Sequence, residues 1–164
     1  MKLKRSNIVY YKDNLFDGIT QSLKDNDRDT VIYIPTTFDT TNSQKTDLYQ
    51  SVLSRFPYVA DQAFIQQHNI GDTNRIGLNR DKSLYLFQMF ANRTKGRRKI
   101  HYGNLVKCMM KVQSDNFAYK SQDVRLEIHC AKFGTGSTGG RWSTIHDLIV
   151  DCWAGIPVFV YDKY

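Results

Sequence analysis

The residues best suited to chemistry in this 164-residue chain form one short run, Lys132-Phe133-Gly134-Thr135-Gly136-Ser137-Thr138-Gly139-Gly140-Arg141-Trp142. Four of the seven residues from Gly134 to Gly140 are glycine, and every glycine costs conformational entropy on folding. That cost makes sense where backbone N–H groups must turn inward and let an anion come close. Successive N–H groups form an anion-binding concavity, and a helix starting after it adds its positive N-terminal end. Thr135, Ser137 and Thr138 supply hydroxyl donors, while Lys132 and Arg141 supply positive charge. The expected chemistry is phosphate binding; the plain alternative is a tight strand-to-helix turn. A P-loop is excluded, because Gly140 is followed by Arg141-Trp142 and not by lysine and serine or threonine. Gly134-x-Gly136-x-x-Gly139 matches the dinucleotide fingerprint, with Asp162 about where its ribose-binding acid belongs. That fingerprint normally opens a sheet, however, and here only one strand follows it.

The net charge of +7 and a sequence pI near 9.3 favour polyanionic partners, nucleotide phosphates and nucleic acid alike. The densest basic stretch is Arg93-Thr94-Lys95-Gly96-Arg97-Arg98-Lys99. With Tyr85, Phe87, Phe90 and Tyr102 nearby, Arg93, Lys95, Arg97, Arg98 and Lys99 suit a single-stranded nucleic acid, which stacks on aromatics beside a basic groove. The same stretch also reads as a solvated connection between two elements. Cys108, Cys130 and Cys152 are odd in number and widely spaced, with no CxxC pair, and His68, His101, His129 and His146 show no ligand spacing with them. Buried core thiols are expected, with no disulfide, no metal and no cofactor. His129, on the strand before the loop, is a candidate base, though a satisfied core histidine is the commoner role there.

These residues must be positioned by elements that the pattern supplies. Ile8–Lys12 predicts a strand, Leu15–Leu23 a short helix, Asp25–Asp29 a polar turn and Thr30–Pro35 a strand covered on both faces. Thr36–Gln44 predicts a loop. A helix follows it, with Thr46 as cap and Leu48, Val52, Leu53 and Phe56 at helical spacing; Pro57 interrupts it and Tyr58–Gln67 continues. Arg75–Asn79 and Ser83–Asn92 predict two strands, turning near Asp81-Lys82. Asn104–Phe117 is the clearest helix, with Leu105, Cys108, Met109 and Val112 on one face. Val124–Ala131 predicts the strand before the glycine loop. A helix with Ile145, Leu148, Ile149 and Cys152 on its buried stripe follows, and Pro157–Tyr161 is the last strand. The alternation implies an α/β fold with a largely parallel sheet. No linker or repeat divides the chain, so residues 1–164 read as one domain. No apolar run approaches the roughly 20 residues of a membrane helix, and the opening residues are too short in apolar content for a signal core; a cytoplasmic monomer with no membrane partner is expected.

The segment Glu127–Tyr161, EIHCAKFGTGSTGGRWSTIHDLIVDCWAGIPVFVY, resembles the C-terminal half of a macro domain. Tyr10-Tyr11-Lys12-Asp13-Asn14-Leu15-Phe16 resembles that family's opening, Leu53-Ser54-Arg55-Phe56-Pro57 a helix end, and Ile100-His101-Tyr102-Gly103-Asn104-Leu105 a later helix start. The order and spacing match over almost the whole chain. The resemblance implies a three-layer α/β/α sandwich with a mixed, largely parallel central sheet and a cleft for ADP-ribose. It implies that Gly134, Thr135, Gly136, Ser137, Thr138, Gly139 and Gly140 hold the pyrophosphate and distal ribose. Asp13 or Asn14 would meet the adenine, and Tyr161 would stack on it; a polar group at a strand end suits the adenine amine, and an aromatic offers a flat π-face. For Asp13 an ordinary turn acid, and for Tyr161 core packing, are the competing roles. Such small basic chains fit a bacteriophage origin, which composition does not show.

The chain departs from the family in three places. The family's second glycine-rich loop falls on Thr36–Lys45, which has no glycine; Asp39, Asn42 and Lys45 are the side chains available instead. A hydrolase aspartate expected in the C-terminal loop is replaced by Thr138, and a lysine expected near Phe90 has no counterpart, so the acid–base pair is not visible. Three functions stay open: an ADP-ribose-1″-phosphate phosphatase or ADP-ribosyl hydrolase, a non-catalytic reader or sequestering module, and a nucleic-acid-binding protein.

Overall fold

In the computed structural model, which describes residues 6–25, 30–39, 46–56, 69–96, 98–118 and 125–163, one seven-stranded sheet organises the chain. β1 (Ile8–Asn14) leads into α1 (Leu15–Asp25), then β2 (Thr30–Ile34), β3 (Thr37–Asp39) and α2 (Thr46–Arg55). β4 (Thr73–Gly77) and β5 (Leu84–Asn92) follow, then α3 (Tyr102–Ala118), β6 (Leu126–Cys130), α4 (Trp142–Cys152) and β7 (Val158–Lys163). The strand order is β1-β7-β6-β2-β5, all parallel. β4 runs antiparallel on the far side of β5, while β3 pairs parallel with the end of β5, opposite β4. β3 thus carries on the line of β2 beyond Pro35-Thr36. The expected loop Thr36–Gln44 is corrected there: Thr37–Asp39 pairs because Phe38, 2% exposed, is drawn against Phe90.

Alternate residues of the central strands feed two cores, as the period-2 geometry of a strand requires. Ile32, Ile34, Phe87, Met89, Ile128, Cys130, Val158 and Val160 face α3 and α4. Val31, Tyr33, Leu84, Leu86 and Tyr161 face α1 and α2 through Leu15, Phe16, Ile19 and Val52. Helices on both faces of a mostly parallel sheet make the expected α/β/α sandwich.

Local signals account for the ends. Asn14 Oδ1 accepts from the N–H groups of Phe16 (2.9 Å) and Asp17 (3.4 Å), capping α1. His101 Nδ1 accepts from the Asn104 N–H at 3.1 Å and opens α3, which starts at Tyr102, two residues before the expected Asn104. Asn79 closes the β4–β5 hairpin by accepting from the N–H groups of Ser83 and Leu84; that side chain ends the strand, so β4 is Thr73–Gly77 and not Arg75–Asn79. Thr46 is the first residue of α2, not the cap before it. The expected helical piece Tyr58–Gln67, most of the Asp25–Asp29 turn, Asn42, Lys45 and Arg97 lie outside the described residues. Among the described residues no helix is long and apolar enough to cross a membrane, all three thiols are free and buried, and no His/Cys/Asp/Glu group could hold a metal.

Candidate functional site

β6 ends at Cys130 and hands the chain to the glycine loop at the carboxyl edge of the sheet. The loop closes on its own backbone. Gly140 N–H donates to the Gly134 carbonyl at 2.9 Å, and Gly139 N–H donates to the Gly136 carbonyl at 3.0 Å across a single 3-10 turn, Gly136–Thr138. Gly134, Gly136 and Gly139 have φ of 75°, 67° and 79°, left-handed values that L side chains take only at a cost. Gly140 is demanded by contact: a Cβ there would stand 2.0 Å from the Gly134 carbonyl oxygen. Two of the three hydroxyls read as ligand donors are used inside the loop. Thr135 Oγ1 donates to Lys132 O at 2.7 Å and Thr138 Oγ1 to Thr135 O at 2.9 Å. Gly136 and Ser137 are left exposed on the outer side.

The structure joins this loop to the basic stretch that precedes α3. The N–H groups of Lys99 and Ile100 both donate to the Thr138 carbonyl, at 2.9 and 3.1 Å. Ile100, 1% exposed, sits beneath Gly134 and Gly140. Tyr102 OH accepts from the Arg141 N–H at 2.9 Å, with the Arg98 guanidinium 5.1 Å from the Tyr102 ring centre. On the other flank, Trp142 Nε1–H donates to Tyr10 OH at 2.8 Å, and Lys132 Nζ lies 6.0 Å from the Tyr10 ring centre. Lys99, Arg98, Arg141 and Lys132, all exposed, thus rim one loop. The nucleic-acid reading loses two of its four stacking rings, because Phe87 and Phe90 are wholly buried. Their place on the central strand β5 turned them into core.

The remaining expected site residues gather elsewhere. Asp13 and Asn14 stand at the carboxyl end of β1, with β7 between β1 and β6, so about 10 Å separates them from the loop across two strand spacings. Asn14 is committed to capping α1, and Asp13 is exposed. Tyr161 packs in the core at 4% exposure, flanked by Tyr11 and His129 at ring distances of 5.6 Å. Gly18 of α1 lies directly over it: a Cβ there would meet the Tyr161 hydroxyl at 2.1 Å.

Asp13, Asn14 and Tyr161 line a cleft of about 530 Å³ between α1 and the sheet, together with Tyr11, Asp17, Gly18, Gln21, Ser22, Asp25, Glu127, His129 and Phe159. His129 organises its floor. Its Nδ1 is 2.8 Å from Tyr161 OH, and its Nε2 is 3.4 Å from Ser22 Oγ and 3.5 Å from Glu127 Oε1. Burial pushes the Tyr161 phenol above its ordinary pKa, so the hydroxyl keeps its proton. The sequence reading missed Glu127, Asp17 and Asp25. The available signal was the pair Glu127 and His129, two polar residues at period 2 in an otherwise apolar strand.

No protein-family model matches the chain, and no curated protein matches its sequence. Among the solved structures that share the fold are two from one organism. One, a protein of unknown function from Bacteroides thetaiotaomicron, is 18% identical with a TM-score of 0.70, covering 94% of this chain and 96% of that one. A second protein from the same organism is 20% identical with a TM-score of 0.67, covering 94% and 98%. At these identities the likeness extends to the fold.

Proposed function

We propose that the chain binds ADP-ribose or a closely related phosphorylated nucleotide on the loop Gly134–Gly140, as a non-catalytic reader or sequestering module of macro-domain type. The observation that carries this reading is the docking of Lys99 and Ile100 on the Thr138 carbonyl. It brings a basic segment to a glycine-rich turn at the N-terminal end of α4, where phosphate charge is favoured by the helix dipole and by cationic side chains. Binding without turnover is favoured because no acidic residue lies between Glu127 and Asp147, and because the Thr138 hydroxyl is used inside the loop.

Calorimetric titration with ADP-ribose tests the proposal. Ser137 is exposed and has no left-handed φ, so Ser137→Glu adds a negative charge to the loop without straining it. The expected result is binding by the wild type, at least a tenfold loss in Ser137→Glu, and no phosphate released when ADP-ribose-1″-phosphate is the ligand. Equal affinity of the two proteins, or no wild-type binding at millimolar ligand, would overturn it.

A further inference from the structure

The cleft beneath α1 has the opposite chemistry from the loop, and what it can hold does not depend on the function proposed above. Asp17, Gln21 and Asp25 recur every four residues and so share one side of α1, the side that lines the cleft. From Asp17 to Asp25 this row extends about 12 Å at 1.5 Å per residue. Asp13 closes one end, and Glu127 rises from β6 in the floor. Four carboxylates thus meet one cleft in a chain whose net charge is +7, and no lysine or arginine is among its described lining residues.

Exposed acids are ordinarily solvated, but Glu127 is not exposed. It is 7% accessible, and its Oε1 is buried with no hydrogen-bond partner. His129 Nε2 lies 3.5 Å from it. A buried carboxylate is unfavourable unless a donor or a positive charge reaches it. Beside it, Tyr11, Phe159 and Tyr161 form a continuous aromatic surface, with Tyr11 5.7 Å from Phe159 and 5.6 Å from Tyr161 between ring centres. Tyr11 is 39% exposed and so presents its ring at the mouth. Aromatic faces attract cations, and carboxylates accept their N–H bonds.

The geometry points to a binding site for a small linear polyamine, lying along α1 with its ammonium groups shared between the helix row Asp17–Asp25 and the buried Glu127, and its methylene stem on Tyr11 and Phe159. Length selects such a ligand over a single amine, because the carboxylates are spread along the helix. The aromatic floor selects an organic cation over a hydrated metal ion.

Spermidine titration, followed by calorimetry at low ionic strength, is the test, with circular dichroism to check each variant's fold. Asp17→Asn/Asp25→Asn and Glu127→Gln should each weaken spermidine at least tenfold, and Tyr11→Ala several-fold. Asp81→Asn/Asp147→Asn makes the same change in net charge at exposed positions away from the cleft and should alter affinity less than twofold. Ser137→Glu should bind spermidine like the wild type. Equal weakening by the two aspartate pairs would reduce the effect to general electrostatics and overturn the proposal, as would the absence of wild-type binding at millimolar spermidine. If Glu127→Gln fails to fold, the exposed Asp17/Asp25 pair against its control decides.

Discussion

The glycine loop and the α1 cleft lie in one small sheet and solve opposite problems. The loop is shaped by backbone: its hydrogen bonds run between Gly134 and Gly140, Gly136 and Gly139, and Thr138 and the Lys99–Ile100 segment. Its charge is exposed, basic and contributed by side chains at the rim. The cleft is shaped by side chains: Tyr161, Ser22 and Glu127 each bring a polar atom within 3.5 Å of a His129 ring nitrogen. Its charge is acidic and partly buried. A glycine turn rimmed by cations would suit anions of many outlines, whereas carboxylates spread along a helix beside aromatic rings would read length and sign. The overall charge of +7 describes neither place, since the chain has sorted its charges between them.

The difference can be broken most severely at Gly140. Its missing Cβ leaves room for the Gly134 carbonyl, a backbone atom that cannot swing away. Gly140→Ala should therefore cost about 3 kcal/mol in chemical denaturation, the upper range for overpacking, and abolish ADP-ribose binding. Gly18→Ala meets the Tyr161 hydroxyl at a comparable 2.1 Å, but that atom ends a side chain. The ring retreats at the expense of its bond to His129, and alanine recovers part of the loss through helix propensity, leaving a net cost of about 1 kcal/mol. This variant should keep ADP-ribose binding and lose spermidine binding, which separates the two regions in one protein.

Alkaline titration gives a smaller contrast. Burial pushes the Cys108 thiol from 9.0 up to about 12, and it also raises Cys130. Both belong to the core layer under α3 and α4, while Tyr161, likewise raised, belongs to the α1 layer. A group with a raised folded pKa contributes its full stability below the unfolded value and loses it as pH rises towards the folded one. Stability should be flat to about pH 7.5 and lower by about 2 kcal/mol at pH 9.5, with the thiols leading because their ordinary pKa is lower than that of tyrosine. Replacing Cys108 and Cys130 by alanine should flatten the urea midpoint over that range; an unchanged fall would assign it to Tyr161.

Most of the framework could be read from the residues because it is carried by local pattern. Thr30–Ile34 is apolar on both faces and is fully buried, and the stripe Ile145, Ile149 and Cys152 faces the core as its spacing requires. β3 was hidden because three residues after a proline in a polar run carry no periodicity of their own; their pairing with β5 is tertiary. The loop was legible because Gly134, Gly136 and Gly139 take left-handed backbone, which glycine adopts without strain. The cleft was not, because its carboxylates are scattered over β1, α1 and β6 and meet only when the sheet forms. Nor could sequence order reveal that Lys99 and Thr138, far apart along the chain, share a hydrogen bond.

The most direct test of the central claim is an amide NMR titration of the full chain with ADP-ribose, read residue by residue. The largest shifts are expected on Gly134–Gly140, Lys99 and Ile100, with Asp17, Gln21 and Asp25 of α1 unmoved. Shifts concentrated along α1 and Glu127, with the glycine loop silent, would contradict it.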